Sequence, residues 1–89
     1  MQNRYLEITF RRGKPLAAYL YLAREPGVRS SKTRPAGRGL VLDYGPDDRL
    51  IGIEITAPRQ VTLQDLNVLL AQHRLAALTQ EEVMPLMAA

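Results

Sequence analysis

The run from Leu40 to Ile55, Leu-Val-Leu-Asp-Tyr-Gly-Pro-Asp-Asp-Arg-Leu-Ile-Gly-Ile-Glu-Ile, limits what this chain can fold into more than any other stretch. Two β-rich runs flank one compact turn, so it reads as a hairpin. Pro46 presets φ at the first central position of a type I turn and Asp47 suits the second. Asp48 belongs to the few non-glycine types that tolerate the left-handed position that follows. A type I turn with a bulge is therefore expected. With Gly45 and Arg49 closing the turn, the register pairs Tyr44 with Leu50, Asp43 with Ile51, Leu42 with Gly52, Val41 with Ile53 and Leu40 with Glu54. Both faces are then apolar. Val41, Ile51, Ile53 and Ile55 share one, and Leu40, Leu42, Tyr44 and Leu50 the other, so the hairpin needs cover on both sides.

In chain order, Tyr5 to Phe10 alternates, with Leu6, Ile8 and Phe10 opposite Tyr5, Glu7 and Thr9, as a half-buried strand does. Arg11-Arg12-Gly13-Lys14-Pro15 supplies a turn and Leu16 to Leu22 a second strand, in which Ala17, Tyr19 and Tyr21 oppose Ala18, Leu20 and Leu22. The two tyrosines suit either a stacking platform for bases or, more commonly, the amphipathic lining of an interface. After the hairpin, Pro58 ends the sheet. Thr62 with Asp65 forms a capping box for a helix over 63–77, with Leu63, Leu66, Leu69, Leu70, His73 and Ala77 on one side. Val68 and Leu75 fall opposite and look to the tail for cover. There Thr79-Gln80-Glu81-Glu82 opens a second, short helix interrupted by Pro85.

Between the strands, Ala23 to Gly39 carries prolines, glycines and basic residues with Val28 as its one apolar β-former, and reads as a solvated loop. Its Arg24, Arg29, Lys32, Arg34 and Arg38 are candidate anion- or partner-binding residues, although no phosphate-binding glycine motif accompanies them. They dominate the charge pattern. Residues 1–39 hold nine basic and two acidic residues and residues 40–89 three and seven, a division into +7 and −4 within a net +3. Opposite halves suit nucleic acid or an acidic partner, or simply complement each other within one fold.

Catalytic and metal chemistry find little support. The chain has no cysteine and one histidine, His73, whose helical neighbours are leucines and alanines with no carboxylate to orient it. Asp47 and Asp48 are accounted for by the turn and supply too few oxygens for calcium. Asp43 and Glu54 fall on opposite faces in the register above and so make no acid/base pair. No catalytic residue, cofactor or metal is expected. No run approaches a membrane span and Tyr5 to Phe10 begins without a signal-like apolar region, so a cytoplasmic protein with no membrane partner is expected.

Val41-Leu42-Asp43-Tyr44, an acidic turn and Leu50-Ile51-Gly52-Ile53-Glu54-Ile55 resemble the signature of the domain of unknown function 2283 family. Leu16 to Leu22 is similar to its earlier strand, and the resemblance covers roughly residues 5–56. The basic first turn and the long basic loop depart from the usual pattern. The resemblance implies a small, mainly antiparallel bacterial protein with no assigned activity, cofactor or catalytic residue. The resulting expectation is one α+β domain over residues 1–89. It has four antiparallel strands at about 5–10, 16–22, 40–45 and 50–55, and a helical part over 62–88. The leading functional expectation is a non-enzymatic interaction module, a homodimer or bound to a small protein, through Tyr19, Tyr21, Leu40, Leu42, Tyr44, Leu50 and Gly52. A nucleic-acid-binding or antitoxin-like regulator using the basic half stands second.

Overall fold

The computed structural model describes residues 4–23 and 26–87. Among these, five strands make one antiparallel sheet: β1 (Tyr5–Arg11), β2 (Lys14–Tyr21), β3 (Lys32–Gly37), β4 (Leu40–Tyr44) and β5 (Leu50–Ile55). Their order is β1-β2-β5-β4-β3. A 3₁₀ turn at Pro58–Gln60 leads to helices α1 (Leu63–Gln72) and α2 (Gln80–Met87). The class is α+β as expected, but the sheet has five strands rather than four, and the additional one lies inside the expected basic loop.

Topology explains the additional strand. β2 and β4 both pair antiparallel with β5 and so run parallel to each other. Chain leaving the end of β2 must travel back along the sheet before β4 can begin. β3 is part of that return, pairing Thr33 with Asp43, Arg34 with Leu42 and Pro35 with Val41. Lys32, Arg34 and Pro35 are poor residues for a central strand and suitable ones for an edge, where charge and proline deter further pairing.

The β4–β5 turn forms as its residues dictate. Gly45 N–H donates to Arg49 O at 2.9 Å and Asp48 takes a left-handed φ of 63°. Tyr44 pairs with Leu50, as expected. Beyond it Ile51 is a bulge, so Asp43 pairs with Gly52, Leu42 with Ile53, Val41 with Glu54 and Leu40 with Ile55. The expected register is off by one from that point, and a one-residue slip exchanges faces. Leu40, Leu42, Tyr44, Leu50, Ile53 and Ile55 gather with Ala18, Leu20 and Leu22 in a single core. The other face is left with Tyr19, Tyr21, Val41, Asp43, Gly52 and Glu54.

Both helices cover the same face of the sheet. Leu66 and Leu70 of α1, Val83 and Leu86 of α2, and Val61 and Leu78 beside them complete the core. The tail therefore does not cover Val68 and Leu75, which stay 49% and 37% exposed. The Thr62–Asp65 capping box forms, with Asp65 N–H donating to Thr62 Oγ1 at 3.1 Å and Thr62 N–H to Asp65 Oδ2 at 2.9 Å. That backbone donor, chiefly, holds the Asp65 carboxyl below its ordinary range. α1 ends at Gln72 rather than 77 because Arg74 turns left-handed (φ 59°). Leu75 N–H then returns to Leu70 O at 2.8 Å, and Arg74 N–H to Ala71 O at 3.0 Å, as in a Schellman motif. Asn67 clamps the connection to α2 through Leu78 N–H at 2.7 Å.

Part of the electrical division is internal complementation. Of the four ion pairs among the described residues, Arg4–Glu82, Lys32–Asp48 and Arg38–Asp65 join the basic half to the acidic one, and Arg49–Asp47 lies within the turn. Arg4 also donates to the Ala76 and Ala77 carbonyls, at 2.5 and 2.8 Å, tying the sheet's edge to the helical segment.

Because the segment between β2 and β4 must retrace the sheet, its length is a folding requirement. Four residues reach at most about 14 Å. Retracing a five-residue strand and crossing two strand spacings needs roughly 16 Å along the sheet and 10 Å across it. Replacing residues 23–39 with a four-residue turn should abolish the cooperative thermal transition seen by circular dichroism. A glycine-serine linker of the original length should preserve that transition at a lower temperature.

Candidate functional site

The face opposite the helices is built from two rows of side chains. One row runs Glu7, Tyr19, Glu54, Val41 across β1, β2, β5 and β4, and the next runs Tyr5, Tyr21, Gly52, Asp43. The rings of Tyr5 and Tyr21 stack with centroids 4.5 Å apart and 14° between planes. Tyr19 tilts against Tyr21 at 4.5 Å. Glu7 accepts a long hydrogen bond from the Tyr21 hydroxyl at 3.4 Å.

Gly52 is what lets the rows interlock. A Cβ built on it would run into Oη, Cε1 and Cζ of Tyr19, so the phenol ring lies directly over the glycine. Crossing β5 there, it reaches β4, where the Tyr19 hydroxyl donates to Asp43 Oδ2 at 2.7 Å. Asp43 is 4% exposed and is the one buried charged residue among those described. Its second oxygen, Oδ1, is buried and has no hydrogen-bond partner among the described residues. An orphaned carboxyl oxygen in such a place is costly, and a protonated neighbour satisfies it. Glu54 is the carboxyl beside Asp43. Its hydrogen bond to Asp43, then burial, then the charge of Asp43 push its carboxyl above the ordinary value of 4.5. Glu54 thus keeps its proton to higher pH, and Tyr19, Asp43 and Glu54 stand together over Gly52.

The expected interface residues are divided by this arrangement. Tyr19, Tyr21 and Gly52 lie together on the uncovered face. Leu40, Leu42, Tyr44 and Leu50 are core beneath the helices, where the Ile51 bulge brings Ile53 and Ile55 to join them. The Asp43–Glu54 pair was missed because the unbulged register sends the two to opposite faces. A signal for it was present. Placing the polar positions Asp43, Gly52 and Glu54 on one face and every leucine and isoleucine except Ile51 on the other requires a one-residue bulge.

The basic candidates do not converge on one site. Lys32 pairs with Asp48 and Arg38 with Asp65 at 3.5 Å. Arg34 donates to the Tyr44 hydroxyl at 2.8 Å and lies over its ring, with 5.4 Å from the guanidinium carbon to the centroid. Tyr44 Oη is also 3.0 Å from His73 Nε2, while His73 Nδ1 is 2.8 Å from the Leu69 carbonyl. The carbonyl can only accept, so Nδ1 carries the proton and Nε2 accepts from Tyr44. His73 is thereby a structural tie between α1 and β4. Arg29 is exposed, and Arg24 lies outside the described residues. No group of three or more metal-ligating side chains occurs among the described residues.

Gly52→Ala should force the Tyr19 ring off the sheet and strand Asp43, costing about 2 to 4 kcal/mol by urea unfolding. Tyr19→Phe should cost about 1.5 to 3 kcal/mol. The double variant should fall short of their sum, because both remove one hydrogen bond. A full sum would show that the ring does not need the glycine. Glu54 adds a pH signature. Since the folded state holds this proton more tightly, its contribution is present below 4.5 and lost as pH rises through the raised folded value. Unfolding curves of the parent protein and Glu54→Gln, measured across that window, should diverge with rising pH in favour of the variant. Parallel curves would count against the raised Glu54 carboxyl.

No curated protein and no solved structure matches the chain. Residues 17–57 match the model of a family described as Protein of unknown function (DUF2283). The matched segment contains Tyr19, Asp43, Gly52 and Glu54, so the chain is similar to that family over the strands that build the uncovered face.

Proposed function

We propose that this protein is a non-enzymatic interaction module that associates, in the first instance with a second copy of itself, through the uncovered tyrosine and carboxyl face of its sheet. The observation that carries this reading is that both helices pack on one face and leave stacked aromatic rings on the other, with Tyr5 50% exposed. Tyrosine-rich patches with polar surroundings are characteristic of contact surfaces, where the ring is buried and the hydroxyl finds a partner. Arguing against catalysis by Asp43 and Glu54 is their use of each other. Asp43 is buried, one oxygen accepts from Tyr19, and the Glu54 carboxyl beside it is held toward its neutral form. Buried under the Tyr19 ring, Asp43 is placed for a structural role. Among the basic residues, the engagement of Lys32 and Arg38 by acidic partners favours the interaction reading over a nucleic-acid surface on the β3 edge.

Light scattering at micromolar concentration should give about twice the chain mass of 10.0 kDa, and Tyr5→Ser should reduce it to one chain mass without unfolding the protein. A parent mass of one chain would remove the homodimer. Titration of labelled single- and double-stranded DNA and RNA at near-physiological salt should give dissociation constants weaker than about 10⁻⁶ M. Tighter, steeply salt-dependent binding would replace this reading with the nucleic-acid one.

A further inference from the structure

At one end of the molecule the β1–β2 hairpin outruns the rest of the sheet. β5 pairs with β2 only from Ala18 to Tyr21, whereas β1 continues to pair through Thr9–Ala17, Phe10–Pro15 and Arg11–Lys14. The last pairs therefore form a two-stranded finger. It closes on Arg12 and Gly13, with φ of 54° and 78°, values that suit a tight two-residue turn of the I′ type. Arg11, Arg12 and Lys14 at its tip share a recess of about 390 Å³ with Pro15, Leu16 and Arg59, the last contributed by the 3₁₀ turn after β5. None of these four cations takes part in an ion pair among the described residues, in contrast to Arg4, Lys32, Arg38 and Arg49. Beside them stand large apolar side chains facing water. Phe10 is 53% exposed, Leu16 51% and Met87, across Pro15 from the finger, 39%.

We infer that this finger is a docking tip for an anionic membrane surface, with Arg11, Arg12, Lys14 and Arg59 engaging lipid phosphate and carboxylate groups while Phe10 and Leu16 enter the headgroup layer. Free cations and half-exposed hydrophobics at one projecting end are the two signals that together hold a protein at a bilayer interface. A nucleic-acid backbone would use the charges and leave the apolar side chains without a role. Lying on a surface needs no spanning segment, so the short apolar runs of this chain are no obstacle. The contact is distinct from the tyrosine face and does not depend on it.

The test is flotation of the full chain with phosphatidylcholine vesicles, with and without phosphatidylserine. The parent protein should float only with phosphatidylserine, and less as salt is raised. Replacing Arg11, Lys14 and Arg59 with Gln should lower partitioning by roughly fivefold per charge, on the order of a hundredfold together. Phe10→Ser with Leu16→Ser should also weaken it. Arg29, Arg49 and Arg74 changed to Gln remove the same net charge elsewhere and should weaken it far less. Circular dichroism confirms that each variant is folded. Absence of flotation with phosphatidylserine, or equal loss in the two triple variants, would overturn the proposal. Duplex DNA bound tighter than 10⁻⁶ M and lost with the finger variant would reassign the tip to nucleic acid.

Discussion

The bulge at Ile51 decides which side of this sheet is core. Leu50 faces the helices. One residue taken out of the ladder lets Ile53 and Ile55 face them too, opposite Leu42 and Leu40. Without it, isoleucines would be divided between faces and no single layer of helices could bury them. With it, Gly52 and Glu54 turn away from the core, and β5 presents a gap and a carboxyl to the uncovered face. Core and candidate site are thus two consequences of one backbone irregularity.

On the uncovered face the next constraint is steric. The absence of a side chain at Gly52 opens a path for the Tyr19 ring from β2 to β4, and the hydroxyl at its end supplies the donor that a buried Asp43 needs. Beside it, the Glu54 carboxyl is raised by its contact with Asp43, by burial and by the Asp43 charge, so a residue ordinarily charged in water stays neutral more readily here. The unit joins three strands by polar contacts where no helix covers them. This gives the central sheet a tyrosine-faced surface, on which the proposed contact with another macromolecule rests.

The charge distribution follows a similar economy. Basic residues from the first half close on acidic residues of the second at the sheet's edge, at the helix cap and between Arg4 and α2. At the projecting end, Arg11, Arg12, Lys14 and Arg59 enter no ion pair among the described residues.

Local chemistry made much of the fold legible. Pro46-Asp47-Asp48 specified its turn, Thr62 and Asp65 their helix start, and the alternation at Tyr5 to Phe10 and Leu16 to Leu22 its strands, because each depends on neighbours within a few residues. The class, the hairpin and the α1 face of Leu66 and Leu70 were readable on that basis. The β3 strand was not, since Lys32 to Gly37 has no strand-like pattern and is extended only because β2 and β4 run parallel and the chain must return between them. Nor was the Tyr19–Asp43–Glu54 unit, whose members are far apart in sequence and share a face only through a bulge. A bulge costs little locally and is selected by what it buries, so the residues from 40 to 55 determined that a hairpin would form, and only packing of the whole sheet against its helices decided which way each of them points.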